Sequence, residues 1–339
     1  MKTTLKDIAD ATGVSIAAVS KVLNEKDIRI SEKKRRQILI TAENMNYRVN
    51  QAARTLVTKR SGLIGLIVPD IENPYFSRLA KHLEKRCLEQ DRVLLILNSN
   101  EQAEGDLRLL DLLIDRQVEG IFFCPSFEAF HDQRVERKLA ELSLPLVQID
   151  RALDSLSFSK IIFDNEQGAY QATNHLLSKG HKNIGIIAPP QIKGHPSSRL
   201  QGYLRALKEK DIMPKPSWVY HGDYGYNSGY EGGKVLLKAG VSGVFSCNDR
   251  MTLGFLKALR ESHKTIPRDL SLISNDHIAQ DFTFGLAITT VIQDAALLAN
   301  HSFDAYLKLI EEGKTTTALL TPTFVERESV SSPKKISNR

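Results

Sequence analysis

Cysteine is scarce in this chain: three residues in 339, Cys87, Cys124 and Cys247, lie far apart in apolar contexts. That distribution excludes a disulfide framework and the paired ligands of a zinc site, and it fits a reducing compartment. Long apolar runs are missing as well. Met1-Lys2-Thr3-Thr4 leads into a helical pattern without the apolar core of a secretory signal, and no segment is long enough to span a bilayer. A cytoplasmic protein with no membrane partner is expected. The signatures of common enzymes are absent too. There is no glycine-rich phosphate loop ending in Lys-Ser or Lys-Thr, no Gly-x-Ser-x-Gly elbow and no His-Glu-x-x-His. The nine histidines are dispersed, and His181, just past a Gly180 helix end, reads as a surface or loop residue like His175. Neither a cofactor nor a metal is implied, and the chain is not expected to be an enzyme.

What is present is charge, unevenly placed. Residues 1–60 carry 13 Lys and Arg against 6 Asp and Glu, a net +7; subtracted from +6 for the whole chain, this leaves the other 279 residues at −1. Positive charge confined to one end is what counterion release from a polyanion requires, and a merely soluble protein would scatter it.

The basic end reads as two short helices and a tight turn over TLKDIADATGVSIAAVSKVLN, residues 4–24. Thr4 is an N-cap with Asp7 three residues on, and Ile8, Ala9 and Ala11 supply an inward face. Thr12, Gly13 and Val14 break the helix, Gly13 by its freedom to turn left-handed, and Ser15 caps the next one. There Val19, Val22 and Leu23 face inward and leave Ile16, Ala17, Ser20 and Lys21 outward. A face of small side chains with one cation can enter a major groove about 12 Å wide. An ordinary helical hairpin has the same pattern, but the basic helix that follows, capped by Ser31 and bearing Lys33, Lys34, Arg35 and Arg36 beside Ile38, Ala42 and Met45, favours double-stranded DNA. Next, Asn50 caps a short segment with Ala52, Ala53, Leu56 and Val57 on one side. Two turns do not hold alone in water, so this piece is expected to form only against a partner or DNA, with Leu56 as a minor-groove wedge.

From Gly62 apolar runs alternate with amphipathic stretches: LIGLIVP, RVLLILN, GIFFC and LPLVQID, then KIIFD, NIGIIA, WVYHG, GVFSC and LSLIS. This is the pattern of doubly wound parallel sheets, here two lobes in tandem. AITTV and ALLTPTFVERE flank a helix around Asp294–Glu311, so the chain is expected to cross back to the first lobe and finish in the second. Ligands of such sheets sit beyond the carboxyl ends of the strands. Emerging there are Asp70, Tyr75, Phe76, Asn98, Cys124 and Asp150 from the first series, Lys193, Arg199, Tyr224, Asn248, Asp249 and Asp276 from the second, and Gln293 at the crossing. Carboxylates and amides clamp vicinal hydroxyls, Arg holds two oxygens, and an aromatic face covers a sugar ring. Asn248 with Asp249 can equally cap a helix, and Tyr75 or Phe76 can be core.

LKDIADATGVSIAAVSKVLN and NYRVNQAARTL, with NPYF, QID, SSRLQGY, SCND and SLISND in the body, resemble the lac-repressor (LacI/GalR) family of bacterial transcription regulators, over most of the chain to about residue 330. The resemblance implies an N-terminal all-α helix-turn-helix head and a two-lobed, doubly wound parallel α/β body that is periplasmic-binding-protein-like. The expected division is a head over 1–48, a hinge helix over 49–61, and an effector domain over 62–332. Within that domain lobe 1 is expected at about 62–160 and 292–320 and lobe 2 at about 161–291 and 321–332, with a disordered tail at 333–339. It implies Ile16, Ala17 and Lys21 at base-reading positions within a DNA surface of Thr4, Ser15, Ser20, Asn24, Tyr47 and Asn50, and Leu56 as the lever. It implies effector contacts at Phe76, Asp150, Arg199, Asn248 and Asp276, where the side-chain chemistry suits a sugar or sugar derivative, and a repressor acting on a pseudo-palindromic operator. SSPKKISNR lacks the leucine heptads of tetrameric members, which implies a homodimer. Departures fall at Ala18 for the usual Thr, Lys21 for Arg and Val49 for Pro, and at Ser274, Asn275, His277, Leu286 and Ala287 near the effector motifs. A solute-binding protein shares the two-lobed body but needs an export signal and has no use for a +7 head.

Overall fold

The computed structural model describes residues 3–24, 27–47, 61–153, 155, 157–190, 197–276 and 285–333. The chain divides into two compact units, Met1–Ser61 and Gly62–Arg339.

In the first unit, α1 (Leu5–Thr12), α2 (Ile16–Leu23) and α3 (Glu32–Asn44) enclose Ile8, Ala9, Val19, Val22, Ile38 and Ala42. Thr4 and Asp7 form a reciprocal capping box: Thr4 N donates to Asp7 Oδ2 at 2.7 Å, and Asp7 N donates to Thr4 Oγ1 at 3.3 Å. Gly13 takes φ +63°, the left-handed turn that lets α2 start three residues later. One expectation fails by a residue. Ala11 is exposed, and Thr12 is the buried member, still helical, with its hydroxyl donating to Ile8 O at 2.6 Å. A back-bonded Thr is apolar enough to close the core, which a count of hydrophobic residues overlooks.

The second unit holds two six-stranded sheets. The first contains β1 (Leu63–Val68), β2 (Val93–Asn98), β3 (Ile121–Phe123), β4 (Leu146–Ile149), β5 (Ser159–Phe163) and β11 (Thr317–Leu320), all parallel, in the order β11-β5-β4-β3-β1-β2. The second contains β6 (Ile184–Ala188), β7 (Val219–His221), β8 (Gly243–Ser246), β9 (Ser271–Asn275), β10 (Thr289–Ile292) and β12 (Thr323–Val325), in the order β12-β10-β9-β8-β6-β7, with only β12 antiparallel. Helices α4 (Pro74–Leu88), α5 (Ala103–Asp115), α6 (Gln133–Ala140) and α11 (Ala295–Glu312) cover the first sheet on both faces. The second is wound with α7 (Asn165–Ser178), α8 (Ser198–Lys208), α9 (Tyr226–Lys238) and α10 (Asp249–Glu261).

The strand KIIFD pairs with β4 and β11 and so belongs to the first sheet, not to the second series in which its position in the chain places it. The first passage between lobes therefore falls at Asp164, four residues beyond the expected boundary. Buried runs of equal hydrophobicity do not say which sheet they join. His181 also differs from expectation. It is buried, its Nδ1 2.9 Å from Ser242 Oγ and its Nε2 2.9 Å from Ser271 Oγ and 2.8 Å from Ser331 O, and so ties the segment around Ser331 to the second sheet.

Candidate functional site

Because nearly all strands run parallel, their carboxyl ends gather at one edge of each sheet, and in the second unit these edges enclose a cavity of about 120 Å³. That is several times the roughly 10–15 Å³ one water needs, so the space suits a small ligand. Asp150 follows β4, Tyr224 follows β7 and Asp276 follows β9, and all three line the cavity with positive φ, 63°, 64° and 79°. Left-handed backbone at non-glycine residues costs on the order of 1–3 kcal/mol each and gathers where a side chain must be aimed.

Arg199, on the first turn of α8, is the polar centre. Its Nε donates to Asn165 Oδ1 at 2.9 Å, its Nη1 to Cys247 O at 2.8 Å and its Nη2 to Gln293 Oε1 at 2.8 Å. Burial pushes the Asp276 carboxyl up to about 7; nearby Asp249 and Asp150 add to this and Arg199 opposes it. Asp150 is raised by burial as well, against the pull of Arg151 and Arg199. The Tyr75 hydroxyl is buried in the cavity wall beside the Asp150 carboxyl, and burial, with the nearby Asp150 and Asp276, holds it well above the usual phenol range.

The lobes also touch through side chains beside the cavity lining. Arg250 of α10 pairs with Asp70 at 2.5 Å, and the Phe127 ring stacks on Tyr224 with centroids 5.3 Å apart and planes 14° apart. Arg151 lies 3.8 Å over Phe127 and is held by Glu101 through two bonds of 2.8 and 2.9 Å.

Of the residues singled out in the sequence, Asp70, Tyr75, Phe76, Asp150, Arg199, Tyr224, Asn248, Asp276 and Gln293 line the cavity. Asn98, Cys124 and Asp249 do not. Asn98 accepts from Ile71 N at 2.9 Å, Cys124 Sγ lies behind Asp150 at 3.8 Å, and Asp249 is buried, accepting from Ser274 Oγ at 2.7 Å. Being at a strand end is not enough, since the pleat turns alternate residues away. Asn248 has both amide atoms engaged, as N-cap accepting from Met251 N and donor to Tyr224 O, each at 2.9 Å. Lys193 lies outside the described residues. Residues not singled out for the site include Asn73, Glu101, Arg151, Asn165, Ser197, Ser198 and Asp223. Arg151 stands next to Asp150 in sequence and could have been found; Glu101 and Asn165 carry no signal until the lobes close.

In the first unit Ile16, Ala17 and Lys21 are exposed along α2 and Ser20 half-buried, while Thr4 and Ser15 serve as helix caps. Asn24 donates to Ser20 O at 2.7 Å, and Tyr47 packs partly against the three-helix core. Asn50 and Leu56 lie outside the described residues.

A capped helix-turn-helix with a small-residue face, followed in the same chain by a two-lobed α/β body around a polar cavity, defines the class of ligand-responsive DNA-binding regulators. Residues 4–50 match the model of bacterial regulatory proteins, lacI family, and residues 173–330 that of the periplasmic binding protein-like domain. The chain belongs to the lacI family. It is 31% identical over 335 residues to the HTH-type transcriptional repressor PurR of Pasteurella multocida (strain Pm70), covering 97% of this chain and 99% of that one. The structure of the lac repressor dimer bound to operator and the anti-inducer ONPF superposes with a TM-score of 0.86 at 25% identity, over 98% of this chain and 100% of that one. A complex of the transcriptional regulator CelR with cellobiose gives a TM-score of 0.71 at 25% identity, over 97% and 100%. The protein is thus a DNA-binding transcriptional repressor with an effector-binding domain.

Proposed function

We propose that this repressor controls carbohydrate-utilisation genes and that a sugar or sugar derivative, held by Phe76, Asp150, Arg199, Asn248, Asp276 and Gln293, sets its affinity for a pseudo-palindromic operator. The observation that carries this reading is the pairing of Asp150 and Asp276, one from each sheet, around Arg199 in a small polar cavity. Such a set matches a ligand with hydroxyls all round. The protein acts as a cytoplasmic homodimer of residues 1–48 as reader, 49–61 as conditional hinge helix and 62–332 as sensor. Ile16, Ala17 and Lys21 read bases, and Leu56 wedges into the minor groove. An effector that binds one lobe arrangement about 100-fold better than the other shifts their balance by about 2.7 kcal/mol, enough to change operator occupancy.

The stacked Phe127 and Tyr224 favour a second ligand class, a planar nitrogen heterocycle such as a purine, which could slide between the rings once the lobes part. One experiment decides. Duplexes are selected from a random pool with the full chain, and sugars, sugar phosphates, nucleobases and nucleosides are then screened by melting shift. The expected result is an enriched palindrome and a sugar that raises the melting temperature and alters duplex affinity. A hit confined to heterocycles gives the second reading, and no duplex preference at modest ionic strength removes the first altogether.

A further inference from the structure

The chain passes between the lobes three times: after β5, after β10, and between β11 and β12. Two of the passages carry an amide, Asn165 at the first residue of α7 and Gln293 just past β10. Asn165 Oδ1 accepts from Arg199 Nε at 2.9 Å and from Gln293 Nε2 at 2.9 Å, while Arg199 Nη2 donates to Gln293 Oε1 at 2.8 Å. The three side chains form a closed triangle in which each is bonded to the other two. Arg199 Nη1, bonded to Cys247 O at 2.8 Å, fastens the triangle to the end of β8 in the second lobe. One turn along α7, Gly168 backs onto Val291 and Pro322. A Cβ there would stand 2.9 Å from Val291 Cγ1 and 3.0 Å from Pro322 Cγ, so the third passage, which contains Pro322, is gathered against the same turn.

Arg199 has five N–H donors in a fixed fork. Asn165, Gln293, Cys247 O and, more distantly at 3.5 Å, Tyr224 Oη already face four of them. A ligand that grips the guanidinium with two oxygens must displace one of these acceptors.

We propose that Asn165 is a positioning residue that holds Arg199 across two lobe passages, so that occupancy of the cavity is read directly at the hinge; this regulates the same site and rests on taking the cavity as the effector site. The triangle keeps the lobes in one arrangement while no ligand competes for Arg199. Asn165 itself need not touch the ligand.

The test uses the full chain without ligand or duplex. Spin labels are placed at exposed positions on either lobe, Ile71→Cys and Tyr226→Cys; Cys87, Cys124 and Cys247 are buried and stay unlabelled. With labelled protomers diluted in excess unlabelled chain, so that only distances within one protomer are read, the parent is expected to give one narrow distance distribution by pulsed dipolar spectroscopy. Asn165→Ala and Gln293→Ala should each add a longer-distance population of about 10% or more, and the double variant no more than either alone. Asn165→Asp, which keeps an acceptor for both partners, should remain narrow. A residue that only supports the fold would lower the melting temperature and leave the distances as they were. Single variants with the parent's distribution, or an Asp variant as broad as the Ala one, would overturn the proposal. Such a failure says nothing against the cavity as a ligand site or the head as a DNA reader, which the duplex selection and ligand screen address separately.

Discussion

Asp276 is the residue whose environment asks most of it. Burial raises its folded pKa to about 7, whereas an unfolded Asp titrates near 3.8. The neutral acid is therefore the form the folded state favours. Below about pH 4 both states hold the proton and the site costs nothing. As pH rises toward 7 the unfolded chain ionises freely, the folded one does not, and stability falls until the folded carboxyl also ionises. Asp276→Asn should thus raise the melting temperature at about pH 8, by the equivalent of a few kcal/mol at most, and change it little at about pH 4. The same variant should lose the effector response while duplex binding persists. Calorimetry at the two pH values checks the first effect, and a variant no more stable than the parent at pH 8 would count against it. The gain in stability and the loss of response, if both are found, would trace to one cause, the burial of the Asp276 carboxyl in the cavity.

At the level of single elements, Thr4→Ala removes one half of a capping box that is complete in the structure. It should destabilise the head by about 1 kcal/mol and weaken DNA binding, leaving the melting of the second unit unchanged. Two transitions in a melting scan, only the lower one moved, is the outcome to look for. Replacing Leu56 with a polar residue should weaken specific duplex binding much more than non-specific binding; equal losses in a titration against both duplexes would exclude the wedge. Elements of this kind were readable in advance because their cause is local. Caps at Thr4, Ser15 and Ser31, the Gly13 turn and the runs that became β1 to β4 are all decided by neighbours within a few residues. The misreadings have the opposite origin. Whether KIIFD joins the first or second sheet depends on β11, about 160 residues away in the pairing Lys160 to Thr317. His181 is buried by Ser331, 150 positions on, and Asn165 finds Gln293 128 positions on. Strand ends are legible, so Asp150, Tyr224 and Asp276 were found at the edge where they line the cavity, but Asn98 and Cys124 stand at the same edge and do not, because which residues point inward is set by pleat and lobe closure.

For the molecule as a whole, charge and ligand chemistry are divided between the units: the first 60 residues carry +7 and the remainder −1. A fragment of residues 62–339 should keep the ligand-induced melting shift and lose affinity for any duplex. For the full chain, the logarithm of duplex affinity should fall with the logarithm of salt at a slope near −0.9 per phosphate neutralised, and Lys21→Ala should reduce that slope by at most about one unit. A fragment that still bound DNA would relocate the reader. The three lobe passages have one more consequence, for the order in which the molecule can be made. The first sheet is finished only by β11 at Thr317–Leu320 and the second only by β12 at Thr323–Val325, so neither lobe is a continuous stretch of chain. During synthesis the head can fold as soon as it leaves the ribosome, while both halves of the sensor must wait until Thr323–Val325 has been made. A nonsense mutation near residue 310 would not trim one lobe but would leave both sheets of the sensor without their last strands.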